Sequence, residues 1–176
     1  MHSFVVVIKP HAVGNIEGIK ALLLRDTLCS TVHHTQLTEE VAREFYAEHE
    51  GKWFFKRLIG SMTSGPCVVL LFIFPSIEQT QDQIAAMRAM AGATDPVEAR
   101  KHYVEGDPDG PTVRALFGTK LPDNAVHVSD SVEAGDREAA ILTKHIGVSL
   151  LKLTDMQRHM LAPVFGWDPD CIPSKF

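Results

Sequence analysis

Eight consecutive apolar residues, Cys67–Phe74, stand between Pro66 and Pro75. The run is too short to cross a bilayer, which needs about 20 apolar residues. It is too uniform for a half-exposed strand, in which polar and apolar side chains alternate. It predicts a strand buried on both faces, and such a strand needs helices above and below its sheet. Val5–Ile8 carries the same signature near the start. With 176 residues, 45% hydrophobic and 22% charged, the chain can bury that core as one domain without disulfides or structural metal.

Helical spacing fills the intervals. Ile16–Leu24 reads as a helix and Cys29–Gln36 as a strand. Thr38 can cap a helix carrying Val41, Ala42, Phe45 and Tyr46 on one side. Trp53, Phe54 and Phe55, followed by Leu58, Ile59 and Met62, predict an amphipathic helix ending near Gly65-Pro66. Ser76 with Gln79 makes a capping box for a helix to about Met90, and Asp130 with Glu133 makes another for a helix to about His145. Asp95-Pro96 and Gly106–Pro111 mark a long loop region, and Val126–Val128 is a short last strand. The order predicts an α+β fold, a ferredoxin-like α/β sandwich whose four-stranded antiparallel sheet is covered by helices. Residues 1–146 form this domain, and 147–176, with Pro163, Pro169 and Pro173, form a C-terminal tail of unassigned role.

The net charge is −5 and no basic tract stands out, which argues against nucleic acid as a partner. An anionic ligand would have to be held by a few local cations against the overall field. Cys29, Cys67 and Cys171 give neither a disulfide framework nor zinc spacing, so a reducing, cytoplasmic setting is expected, with no membrane partner. The first residues are interrupted too soon by Lys9 for a signal-peptide core. His33 and His34 are strand neighbours that point to opposite faces and cannot share an ion. Met87 and Met90 sit at helical spacing and read as core. No P-loop sequence is present.

The segment Asn124–Ser131 places His127 at the end of a strand and just before a capped helix. A helix N-terminus favours phosphate nearby, and a neutral imidazole can attack phosphorus to become a phosphohistidine. Glu138, within that helix, can orient the ring by accepting from its second nitrogen. A structural role for the same histidine stands beside this reading.

Six blocks in order sharpen it. Ile8-Lys9-Pro10, Phe45-Tyr46, Phe54-Phe55 leading to Met62–Pro66, Gly92–Pro96, Thr112-Val113-Arg114 and Asn124–Ser131 together resemble the nucleoside diphosphate kinase family over about residues 3–145. The resemblance implies transfer of the γ-phosphoryl group from a nucleoside triphosphate such as ATP to a nucleoside diphosphate, in two steps through phospho-His127. It assigns Glu138 and Ser129 to orienting His127. Lys9, Tyr46, Arg88, Thr94 and Arg114 would surround the phosphates, and Lys9 and Asn124 the sugar. Phe54 would stack on the base, with Leu58 beside it and Leu121 on the other face. Mg²⁺ would ride on the phosphates with no protein ligand of its own, and the chain would form a homo-oligomer, a hexamer by family. Stacking discriminates weakly between bases, so broad nucleotide use is expected.

The chain departs from the family pattern at several points. Val128 replaces the glycine after the histidine, which predicts strain or a shifted His127. His11 replaces an aspartate, which predicts a missing bond near Lys9. Ala115-Leu116 replaces a glycine and an acidic residue, and 97–111 is longer than usual where family hexamers make contacts. The rival readings are a non-catalytic nucleotide-binding scaffold of the same family, flagellar or ciliary for instance, and a phosphotransferase acting on protein.

Overall fold

The computed structural model describes residues 1–25, 27, 29–102 and 110–147. Strands β1 (His2–Ile8), β2 (Thr31–Thr35), β3 (Cys67–Phe74) and β4 (Val126–Val128) form one sheet in the order β2-β3-β1-β4. All three pairings are antiparallel. Among the described residues, seven α-helices surround the sheet: α1 (Ile16–Leu23), α2 (Glu39–Phe45), α3 (Phe55–Met62), α4 (Ile77–Ala91), α5 (Pro96–Lys101), α6 (Val113–Phe117) and α7 (Val132–Ile146). This is the expected ferredoxin-like α+β sandwich.

The period-2 alternation of the two central strands divides the core into two layers. Phe4, Val6, Ile8, Val68, Leu70 and Phe72 point to α1 and α4, where they meet Ile19, Leu23, Ile84 and Met87. Val5, Val7, Val69 and Leu71 point to α2, α3 and α7, where they meet Phe45, Ile59, Met62 and Leu142. The strands are central and covered on both faces, which is why their sequence lacks alternation. Phe4 and Phe72, directly paired across β1 and β3, stack with ring centroids 4.6 Å apart. Each such fully buried side chain contributes about 1.5–3 kcal/mol.

Helix α7 lies close against β1 because Gly135 has no side chain. A Cβ there would approach Ser3 O to 2.5 Å and Phe4 Cβ to 2.8 Å. Asp136 locks the contact by accepting hydrogen bonds from Ser3 N and Ser3 Oγ. One helical turn after Gly135, on the same face, comes Glu138.

Thr38 and Ser76 cap α2 and α4 as expected. Three expectations shift. The cap of α7 is Ser131, whose hydroxyl accepts from Ala134 N, because Asp130 turns away to pair with Arg88. Asp95-Pro96 opens α5 rather than a loop: the Asp95 carboxylate accepts from Val97 N, and Pro96 takes the first turn, where its missing N–H costs nothing. Trp53 precedes α3 and is 86% exposed, so its apolar face belongs to no helix. The Gly106–Asp109 turn signals, Cys171 and the tail beyond Gly147 lie outside the described residues. Among those described, no helix is long and apolar enough to cross a membrane.

Candidate active site

One cavity of about 500 Å³ opens beside β4 and the end of β1. Lys9, Tyr46, Phe54, Leu58, Arg88, Thr94, Arg114, Leu121, Asn124 and His127 all line it, so ten residues spread along the sequence converge on one space. Ser129 and Glu138 do not line it; they stand behind His127.

His127 leaves β4 on the face covered by α2 and α7, with Phe45 edge-on at 4.9 Å and Tyr46 edge-on at 5.6 Å. Its Nε2 lies 2.9 Å from Glu138 Oε2. A carboxylate accepts, so Nε2 carries the proton and Nδ1 holds the lone pair. Glu138 is 2% exposed, and the Ser129 hydroxyl donates to the same Oε2 at 2.7 Å. Ser129 is itself fixed to β1, its Oγ accepting from Val5 N at 3.0 Å. The imidazole is therefore held in one tautomer and one orientation by groups locked in the core.

Two of the cations that share the cavity, Lys9 and Arg114, are held by backbone carbonyls, which fix them without neutralising them. Lys9 donates to Pro122 O at 2.8 Å. Burial, with Arg114 nearby, lowers its pKa to about 7 against the opposing pull of Asp123. Arg114 donates to Gly92 O at 2.7 Å and Val126 O at 3.1 Å. Its pKa falls to about 10 through burial and then Arg88. Arg88 is engaged by the Asp130 carboxylate. Gly92 has φ +83°, and a Cβ there would strike Thr112, the cap of α6, so the turn that presents its carbonyl to Arg114 needs glycine.

Three buried polar atoms on this cavity have no protein partner: Tyr46 OH, Arg114 Nε and Asn124 Oδ1. Buried polar groups are normally satisfied, so these point to a ligand with both acceptors and donors. Burial first, and Glu138 next, hold the Tyr46 pKa far above its ordinary value, so its hydroxyl is a donor at any physiological pH. The Asn124 side-chain amide donates to Thr94 O at 2.9 Å and leaves its buried carbonyl oxygen unpartnered, free to accept from a hydroxyl. At the outer end lie half-buried Phe54, buried Leu58 and exposed Leu121, an apolar slot for a flat ring.

Sequence reasoning missed Glu48, His49, Trp53, Arg57, Pro122 and Asp130, which also line the cavity. His49 follows Tyr46 by three residues and stacks on it at 6.1 Å, so helical spacing was a usable signal for it. The strain expected at Val128 is absent. Its side chain joins the opposite core layer, with Val6 as its strand partner, and it has no positive φ. Nor is a bond missing at His11, whose Nε2 accepts from Ala125 N at 3.2 Å.

The chain is similar to known proteins in sequence and fold. The family model described as "Nucleoside diphosphate kinase" matches residues 2–147. The nucleoside diphosphate kinase of Mycobacterium ulcerans is 37% identical over 139 residues, 77% of this chain and 92% of that protein. The one from Rhodococcus jostii is 37% identical over 147 residues, 82% and 96% respectively. The one from Chloroflexus aurantiacus is 40% identical over 106 residues, and there the chain spans 61% of the relative's length. The crystal structure of the Aquifex aeolicus nucleoside diphosphate kinase superposes with a TM-score of 0.68 at 29% identity, covering 87% of this chain and 99% of that one. A buried His–Glu–Ser arrangement, a cation-lined cavity and a family model spanning five sixths of the sequence agree: the chain belongs to the nucleoside diphosphate kinase family.

Proposed function

We propose that the protein is a nucleoside diphosphate kinase working through phospho-His127. The observation that carries the reading is the His127–Glu138 hydrogen bond, which assigns the proton to Nε2 and the lone pair to Nδ1 of a ring that lines the cavity. The Nδ1 lone pair attacks the γ-phosphorus of a nucleoside triphosphate such as ATP. The bond from that phosphorus to the bridging oxygen breaks, and the diphosphate leaves. A second diphosphate then attacks the phosphohistidine through a terminal β-oxygen, and the P–N bond breaks. Positive charge that develops on the ring in the first step is balanced by buried Glu138.

The transferring phosphoryl group spreads negative charge over three oxygens, and fixed donors are the main source of rate. Lys9, Arg88, Arg114 and the unpartnered Tyr46 hydroxyl supply them. Thr94 and Asn124 lie toward the sugar and phosphates, and Phe54, Leu58 and Leu121 form the base slot. Arg88 must exchange Asp130 for phosphate as the nucleotide enters.

The donor set also fits Mg²⁺ carried by the nucleotide. Among the described residues no group of three or more His, Cys, Asp or Glu could hold a metal, whereas the cavity wall is rich in cations that suit phosphate. Phosphate oxygens would hold the ion, and its chemistry there is charge neutralisation. The same reading includes a cytoplasmic protein, in keeping with free Cys29 and Cys67, and a homo-oligomer, the family hexamer. Among the described residues strand β2 pairs on one side only, which offers an edge for assembly.

The test is an intact mass spectrum after brief incubation with Mg-ATP, followed by GDP. One acid-labile phosphoryl group, removed by GDP, is expected. A protein that binds ATP and forms no adduct would overturn the reading.

A further inference from the structure

Ala125 is buried and has φ +71°, the one positive φ outside glycine among the described residues. Val126 N donates to Asn124 O at 2.9 Å, closing a γ-turn around it. Such a turn is strained for a residue with a side chain and persists only where its surroundings hold it. Two bonds do so: Lys9 N donates to Ala125 O at 2.9 Å, and Ala125 N donates to His11 Nε2 at 3.2 Å.

A backbone N–H can only donate, so His11 Nε2 holds a lone pair and its proton sits on Nδ1. Nδ1 faces the Asp123 carboxylate at 3.8 Å, and that carboxylate accepts from the Ser61 hydroxyl at 2.5 Å. The turn joins Asn124 directly and lies two residues before His127, while His11 lies two residues after Lys9. One imidazole therefore ties together the two segments of chain that bring Lys9, and Asn124 with His127, to the cavity.

We propose that His11 is a positioning residue: its neutral imidazole holds the Ala125 turn that aims Asn124 and His127, and its protonation releases the turn and lowers nucleotide turnover at acid pH. A protonated Nε2 would set one N–H against another, with no acceptor left for the buried amide. The charged groups around the ring divide by sign. Asp123 favours its protonation, and Lys9 opposes it. Helix α3 brings Ser61 and Arg57, the latter engaged with Leu121 O. Helix α1 carries Glu17 and Lys20, which pair with each other. Burial outweighs the pull of Asp123 and keeps the ring neutral below its ordinary range. An aspartate at this position would accept the same amide without titrating between pH 5 and 8, so histidine adds the pH dependence.

The inference rests on the kinase reading for its kinetic arm alone, and its test has two arms. The first follows the Ala125 amide and the His11 ring by NMR in the unaltered protein from pH 8 to pH 5. The amide is expected to shift with the midpoint of His11, and an amide that ignores the ring overturns the proposal. The second compares single-turnover phosphoenzyme formation across pH. His11→Ala should lose on the order of tenfold at neutral pH. His11→Asn, whose carbonyl restores an acceptor, should rescue most of that and remove one ionisation from the acid limb. An Ala variant as fast as the parent, or an Asn variant with the parent's acid limb, overturns it. A protein that forms no phosphoenzyme fails the kinase reading, and the amide titration then decides the His11 role by itself.

Discussion

Glu138 and His127 are eleven residues apart and meet at 2.9 Å, with the carboxylate buried at 2% exposure. The contact exists because Gly135 lets α7 settle onto β1, and β4 pairs with the other edge of β1. In the proposed reaction it selects the ring nitrogen that attacks and balances the charge that forms on the ring.

Removing the two partners should have separable effects. His127→Ala should abolish phosphoenzyme formation while nucleotide affinity changes little, since the nucleophile acts mainly in the transition state. Glu138→Gln keeps an acceptor for Nε2 and for Ser129 but loses the charge, and should slow phosphorylation on the order of 100-fold. Rapid-quench kinetics with equilibrium binding checks both. A Gln variant at full speed would reduce Glu138 to a packing role.

Lys9 should make nucleotide binding consume a proton. With its pKa lowered to about 7, the free protein carries a largely neutral Lys9 at pH 8. A phosphate beside it restores the charge, so nucleotide should take up about one proton there and bind more weakly as pH rises. The unfolded lysine stays protonated up to its ordinary pKa of 10.5, so the unfolded state binds more protons and the free protein gains stability between about pH 7 and 10.5. Calorimetry in buffers of different ionisation enthalpy measures the uptake. An enthalpy independent of buffer would remove Lys9 from the phosphates.

Phe54 offers a ring face and no hydrogen bond to a base edge. Phe54→Ala should weaken all nucleotides by similar amounts, about 1–3 kcal/mol. Affinities for adenine, guanine and pyrimidine nucleotides test this, and a loss confined to one base would contradict stacking.

Val128 is a core residue. Val128→Gly should destabilise the fold by about 2–4 kcal/mol, from lost burial plus glycine's backbone entropy, and should not accelerate phosphorylation. Urea unfolding and the phosphorylation rate are the measurements. A faster variant would show that the valine does hinder His127.

Local chemistry was legible wherever a residue's own neighbours decided the outcome. The limits of β3 and β4 follow from apolar runs cut by Pro66, Pro75 and the Ser129-Asp130 polar step. The caps at Thr38 and Ser76 need only a hydroxyl three residues from an amide. The cap of α7 was misplaced by one residue because Asp130 is drawn to Arg88, 42 residues away.

Short-range patterns in the sequence set most of the elements, their amphipathic sides and the two-layer sandwich, and six ordered blocks led to ten of the residues that share the cavity, while α5, α6 and cavity residues such as Glu48, His49 and Arg57 escaped them. Which nitrogen of His127 is free, that Val128 points away from it, and that His11 meets Ala125 across 114 residues emerge with the packed fold alone. The physical reason is the same in each case. Periodicity and capping are short-range and act within a few residues, whereas a hydrogen bond between buried side chains depends on how helices seat on the sheet. That seating depends on the shape of residues such as Gly135, whose missing side chain no local pattern explains.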